Sequence, residues 1–186
     1  MEEACPHRCS WVNTHNSTYV RYHDEEWGVP VYDDHLLGEM FFLELLHSGL
    51  SWECVLMKRE AFRQALDNFI MEKIAHYDGD KIDQLMANPR LIRHRKKLEA
   101  LVVNAHVFLT IQQEWGSFAN YLWQWTDHKI IREQGLTSSP LSDALARDLR
   151  ARGMRYVGSI TLYAYLQAVG VLNGHEPDCF MVQVIK

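Results

Sequence analysis

The chain has 186 residues, 47% of them apolar, with 6 Trp, 8 Tyr and 7 Phe, enough for one generous domain with a substantial core. No apolar run approaches the roughly 20 residues of a transmembrane helix, and the start MEEACPHRCSW lacks the basic and apolar regions of a secretory signal. A cytoplasmic protein without a membrane partner is therefore expected, and the net charge of −5 argues against nucleic acid unless cations cluster.

They cluster twice, at Arg90 to Lys97 (RLIRHRKK) and Arg147 to Arg155 (RDLRARGMR). Taken alone, each reads as a solvated helix face. The four cysteines, Cys5, Cys9, Cys54 and Cys179, suit reduced thiols better than disulfides in so core-rich a chain. No repeat or linker divides residues 1–186, which read as a single domain.

In chain order, Trp11 to Trp27 shows little helical periodicity and reads as turn-rich. After the Gly28-Val29-Pro30 turn, Asp33 or Asp34 caps a helix with Leu37, Met40, Phe41, Glu44 and Ser48 on one face. A second helix follows Trp52, with Phe62, Ala65, Leu66 and Phe69 at helical offsets. A long one from about Arg95 aligns Leu98, Leu101, Val102, Ala105 and Leu109. Ser117 starts a short aromatic helix with Phe118, Tyr121, Leu122 and Trp125. Segment 127–140 reads as an exposed loop, with 129–133 suited to extended backbone. Ser142 caps a helix with Leu145 and Leu149 inward that ends at Gly153. Gly158-Ser159 opens another, through Leu162, Leu166 and Val169, that stops at Gly170. The expected class is all-α, with a helix–hairpin–helix over about 142–170.

Four constellations carry chemistry. At the hairpin, Gly158 permits close backbone approach and Ser159 opens a helix whose free N–H groups suit a DNA phosphate. Arg147, Arg150, Arg152 and Arg155 would surround that grip, although an ordinary αα-hairpin fits equally. His175-x-x-x-Cys179, with Cys9 and His23 near the other end, makes a Cys2His2 set for one tetrahedral zinc ion (Zn2+). Such a site joins segments 5–23 and 175–179 and leaves no open coordination position, so it is structural; Cys5 and His7 are rival ligands, and Cys54 reads as a core thiol. Tyr19, Tyr22 and Trp27, in the polar segment YVRYHDEEWGVP, with Trp52, suit a pocket that stacks a flipped cationic base, whereas the residues alone favour core packing for Trp11. Glu44 shares a helical face with Leu37 and Phe41, so its carboxylate is directed to an apolar interior and needs either a structural partner or a polar or cationic ligand.

The runs RCSWV, YVRYHDEEWGVPVYD, FFLELLHSGLSW, IRHRKKLEALVVNA, RGMRYVGS and HxxxC, spread from Cys9 to Cys179, resemble the 3-methyladenine DNA glycosylase I (Tag) family. The resemblance implies a helix–hairpin–helix DNA glycosylase fold whose zinc site, on Cys9, His23, His175 and Cys179, joins the terminal segments. It implies a base pocket on Tyr19, Tyr22, Glu44 and Trp52 lined by Trp11 and Trp27, with Glu44 the candidate catalytic group. It implies a DNA-backbone grip on Gly153, Gly158, Ser159 and Arg155. The partner is then double-stranded DNA carrying N3-methyladenine, the product free 3-methyladenine, and the protein a monomer. Bifunctional relatives carry a lysine after the hairpin glycine, where this chain has Ser159-Ile160-Thr161, so no lyase activity is expected. The catalytic Asp and the iron–sulfur cysteines of other superfamily members are also missing: Val171 to His175 reads VLNGH. A non-catalytic, zinc-containing sensor of damaged DNA and a zinc-stapled interaction domain are the competing readings.

Overall fold

The computed structural model describes residues 6–47 and 49–185, so the expectations attached to Cys5 and Ser48 lie outside the described residues. Helix α1 (Ser17–Glu25) occupies part of the segment read as turns, which corrects that expectation. Asn16 starts it, its side chain accepting from the N–H groups of Thr18 and Tyr19. Tyr22 and His23 are its buried residues, too short a buried stripe for periodicity to register.

Helix α2 (Asp34–His47) is central. Every residue from Leu37 to Leu46 is buried, so the helix is enclosed all round rather than amphipathic. Two carboxylates, Glu39 and Glu44, are thereby carried into the interior. Asp33 performs the expected capping, accepting from the Leu36 N–H at 2.9 Å.

The single helix expected after Trp52 is broken into α3 (Trp52–Leu56) and α4 (Arg59–Ala65), then a turn at Asp67–Phe69 with φ of 50–56°. Asp67 and Asn68 tolerate the left-handed region better than most residues, and the turn brings Phe69 back into the core. Two short helices not anticipated follow, α5 (Met71–Ile74) and α6 (Gly79–Ala87). The long α7 (Arg95–Trp115) buries Leu98, Leu101 and Ala105 as expected, then continues through Phe108 and Ile111, leaving Leu109 half-buried. Ser117 caps α8 (Phe118–Trp123), whose first N–H groups are also held by Asp34 from α2 at 2.7 and 2.8 Å.

Within the expected loop, β1 (Ile131–Arg132) pairs in parallel with β2 (Leu172–Asn173), a four-residue departure from the all-α expectation. Helix α9 (Pro140–Ala151) begins earlier than read: Ser139 is the cap, Pro140 occupies the first turn and Ser142 is the reciprocal member of a capping box. Gly153, at φ +100°, ends it. Met154 and Val157 are buried and pin the turn that leads into α10 (Ser159–Ala168). One apolar core runs from Tyr22 to Leu172. A smaller cluster joins Cys9 and Val12 to Cys179, Met181 and Ile185, so the apolar tail containing α11 (Met181–Val184) packs beside both cysteines.

Candidate active site and metal centre

A pocket of about 190 Å³ is lined by Trp11, Tyr19, Tyr22, Trp27, Glu44, His47, Trp52, Ala164 and Gln167. All six residues read from sequence as base-binding are brought together. Helix α1 supplies the tyrosines, α2 supplies Glu44, and α3 opens with Trp52. The rings pack edge-on or tilted: Trp11 with Tyr19 at 5.4 Å, Trp11 with Trp27 at 4.9 Å, and Tyr22 with Trp52 at 5.3 Å. The indole N–H of Trp52 is buried and meets no acceptor among the described residues. A donor left so in a pocket suits a ligand acceptor. His47, Ala164 and Gln167 were not anticipated. His47 follows Glu44 by three residues on one helix face, a signal the sequence did carry; Ala164 and Gln167 read as ordinary α10 positions.

The two interior carboxylates of α2 have different fates. Glu39 is held by Arg59 at 2.6 Å and by Arg63 at 2.9 Å, and Arg59 also reaches Glu26 at 2.5 Å. Glu44 meets no Arg or Lys side chain among the described residues. Its Oε2 lies 3.3 Å from His47 Nδ1, and that ring stands edge-on to Trp52 at 5.4 Å. Burial raises the Glu44 pKa above the carboxylate range, and the His47 contact only partly opposes this. An interior carboxylate with so little compensation from the protein suits a cationic or amine-bearing ligand.

Cys9, His23, His175 and Cys179 are all buried, and their donor atoms lie within 4.8 Å of one another. His175 Nδ1 is 3.5 Å from Cys9 Sγ and 3.6 Å from Cys179 Sγ, while His23 Nε2 is 3.4 Å from Cys179 Sγ. This is a candidate metal centre. His7 is exposed and Cys54 half-buried, and neither joins it. Outer partners orient the imidazoles: Asp24, itself gripped by Arg8 at 2.7 Å, meets His23 Nδ1 at 2.8 Å, and His175 Nε2 meets the Trp27 carbonyl at 3.1 Å. Burial pushes the Cys9 thiol up to about 12 and the His175 imidazole down to about 4, so both stay neutral at pH 7 until an ion is bound. The centre also abuts the pocket, with the Trp27 ring 4.5 Å from His175 and Trp11 5.3 Å from His23.

A groove of about 640 Å³ shares Glu44, His47 and Ala164 with the pocket and extends along Gly49, Leu50 and Gly158 to Thr161. It therefore joins the pocket to the hairpin. Gly158, the residue before α10, offers no capping side chain, so the first N–H groups of the helix, on residues that line this groove, are not met by one. The Ser159 hydroxyl is engaged with Ser142 at 2.7 Å, so its side chain is already satisfied within the fold. Arg147, Arg150 and Arg155 are exposed. Arg152 is not part of the free cationic surround: it pairs with Glu114 at 2.6 Å and Asp148 at 2.8 Å and lies over Tyr121. The other basic stretch abuts the hairpin too, with His94 edge-on to Tyr156 at 6.3 Å. Leu50 and Ile160 stand on the groove, 42% and 67% exposed. No helix among the described residues is long and apolar enough to cross a membrane.

A family model described as methyladenine glycosylase matches residues 11–182. Over 178 residues the chain is 41% identical to the DNA-3-methyladenine glycosylase of Haemophilus influenzae, covering 92% of this chain and 96% of that protein. It is 36% identical over 178 residues to DNA-3-methyladenine glycosylase 1 of Escherichia coli, covering 92% and 95%. A solved structure of a variant 3-methyladenine DNA glycosylase I, in complex with 3-methyladenine, superposes with a TM-score of 0.89 at 36% identity, covering 93% of this chain and 96% of that one.

Proposed function

The chain belongs to the methyladenine glycosylase family, and from that premise we propose how its own residues select and release the base. Its activity is that of a DNA-3-methyladenine glycosylase, a hydrolase of the N-glycosidic bond acting in base excision repair. The observation that carries the residue assignment is Glu44, an interior carboxylate almost without compensation, at the floor of an aromatic pocket open to a groove that ends on a helix N-terminus.

The hairpin backbone at Gly153, Gly158 and Ser159, with Arg155, holds the phosphates of double-stranded DNA. The damaged nucleotide leaves the stack and enters the pocket, where Tyr19, Tyr22, Trp52, Trp11 and Trp27 enclose it. Leu50 and Ile160, apolar and exposed beside the pocket, suit the vacated space between stacked bases. Methylation at N3 leaves adenine cationic and already a good leaving group, so little acid catalysis is required. Glu44 accepts from the exocyclic amine and balances the positive charge; the Trp52 indole N–H offers a donor to a ring acceptor. Ser159-Ile160-Thr161 stands after the hairpin glycine, where bifunctional relatives carry the Schiff-base lysine, so the enzyme is monofunctional. We read the described residues as one domain of the helix–hairpin–helix DNA glycosylase type, working as a monomer in the cytoplasm.

Zinc is the ion that Cys9, His23, His175 and Cys179 fit. Bonds of about 2.3 Å to sulfur and 2.05 Å to nitrogen give a tetrahedral S···N edge of about 3.6 Å, against 3.4–3.6 Å for the three edges quoted above. With four protein ligands no position would remain for water or substrate, so a zinc ion held by Cys9, His23, His175 and Cys179 would contribute folding energy and steady Trp11 and Trp27 beside it rather than take part in the reaction.

The test is incubation of metal-loaded protein with methylated duplex DNA, with free 3-methyladenine separated and counted. Release at a rate well above the spontaneous one is expected. Lesion binding without release by well-folded protein would replace the enzyme reading with that of a sensor.

A further inference from the structure

The segment IRHRKKLEALVVNA, residues 92–105, contributes nothing to the pocket lining, yet two of its polar side chains are buried. Lys97 is 6% exposed and Asn104 fully enclosed. Seven residues apart on α7, they lie about two helical turns along one face. Asn104 grips the hairpin in both directions: its amide donates to the Arg155 carbonyl at 2.9 Å, and its oxygen accepts from the Arg155 N–H at 2.8 Å. The next residue, Tyr156, has φ +59°, a conformation that side-chain-bearing residues keep only where the surroundings impose it. Two turns away, Lys97 Nζ donates to the Leu46 carbonyl at 3.0 Å, in the last turn of α2 between Glu44 and His47. A cation there satisfies a terminal carbonyl and complements the negative end of the helix. Beyond that end stand Gly49 and Leu50, which face Gly158 to Thr161 across the groove.

We propose that Asn104 and Lys97 are positioning residues: from one face of α7 they fix the two sides of the DNA groove, the hairpin and the Gly49-Leu50 segment, at the spacing a duplex requires. This rests on the glycosylase reading above. Both residues act at a distance from the base, so the duplex should sense their loss and the free base should not.

The test compares Asn104→Ala and Lys97→Met with the parent protein. Folding is checked by circular dichroism and the affinity for free 3-methyladenine by tryptophan fluorescence. The affinity for a duplex carrying a tetrahydrofuran abasic-site analogue is measured across a salt series. Expected are parental affinity for the base, duplex Kd raised about tenfold, and a slope of log K against log salt shallower by about one as a phosphate contact is lost. Folded variants with parental duplex affinity and salt slope would overturn the proposal. So would an equal loss of free-base affinity, which would make α7 a support of the pocket instead. Parent protein that binds neither probe would contradict the glycosylase reading itself, a separate failure.

Discussion

Replacing Glu44 by glutamine keeps the shape and the acceptor oxygen and removes the charge, so it isolates what the carboxylate contributes. A hydrogen bond to a charged group contributes about 1.5–3 kcal/mol against about 0.5–1.5 kcal/mol for a neutral one, a difference of about 1–2 kcal/mol. At 1.4 kcal/mol per factor of ten, that is a roughly 5- to 30-fold loss. The base is cationic while it remains in DNA, so single-turnover excision from methylated duplex should fall by this factor. Stability should move the other way. The folded protein raises the Glu44 pKa, so folding favours its protonated form; the ionised form costs nothing below the unfolded value and its full penalty above the folded one. As pH rises from the ordinary carboxylate range through the raised pKa, the parent should lose stability that Glu44→Gln retains. Thermal melts of both proteins in a pH series, with His47 present in each, read this directly. A variant that is less stable than the parent at pH 7 and excises at the parental rate would refute the reasoning, because Glu44 would then be a structural hydrogen-bonding group.

Cys179→Ser should lower zinc content from stoichiometric to near zero and reduce the melting temperature. It should also weaken binding of free base, since Trp27 packs 4.5 Å from His175; full metal loading in the variant would reject the ligand set. Gly170→Ala meets two obstacles, a backbone φ of +75° and the Val29–Pro30 backbone lying where the new Cβ must go. The left-handed conformation alone costs about 1–2 kcal/mol, so denaturant unfolding should show at least about 2 kcal/mol of destabilisation, and a loss under about 0.5 kcal/mol would contradict the packing described.

Much of the site was legible because its chemistry is written in residue types. A glutamate among Leu37, Met40 and Phe41 is out of place on an apolar helix; a Cys and a His four residues apart can share an ion, a weak signal until the fold brings Cys9 and His23 to them. The turn between α9 and α10 was legible through Gly153, whose left-handed backbone is a local requirement; Gly158, at φ −79°, adopts a conformation open to any residue. What sequence reasoning missed depended on partners far along the chain. The α1 segment is polar, yet it is helical because Asn16 caps it and because Tyr22 and His23 find a core built by other elements. Glu39 and Glu44 look alike in sequence; Arg59 and Arg63 neutralise the first and leave the second exposed to whatever enters the pocket. Arg152 and Lys97 both read as members of solvated basic runs, until Glu114 and Asp148 claimed one and the Leu46 carbonyl the other. Composition and spacing thus determined which groups can bind a base, an ion or a phosphate. Long-range packing decided which of them remain uncompensated, and that residual charge and hydrogen-bonding capacity make the site.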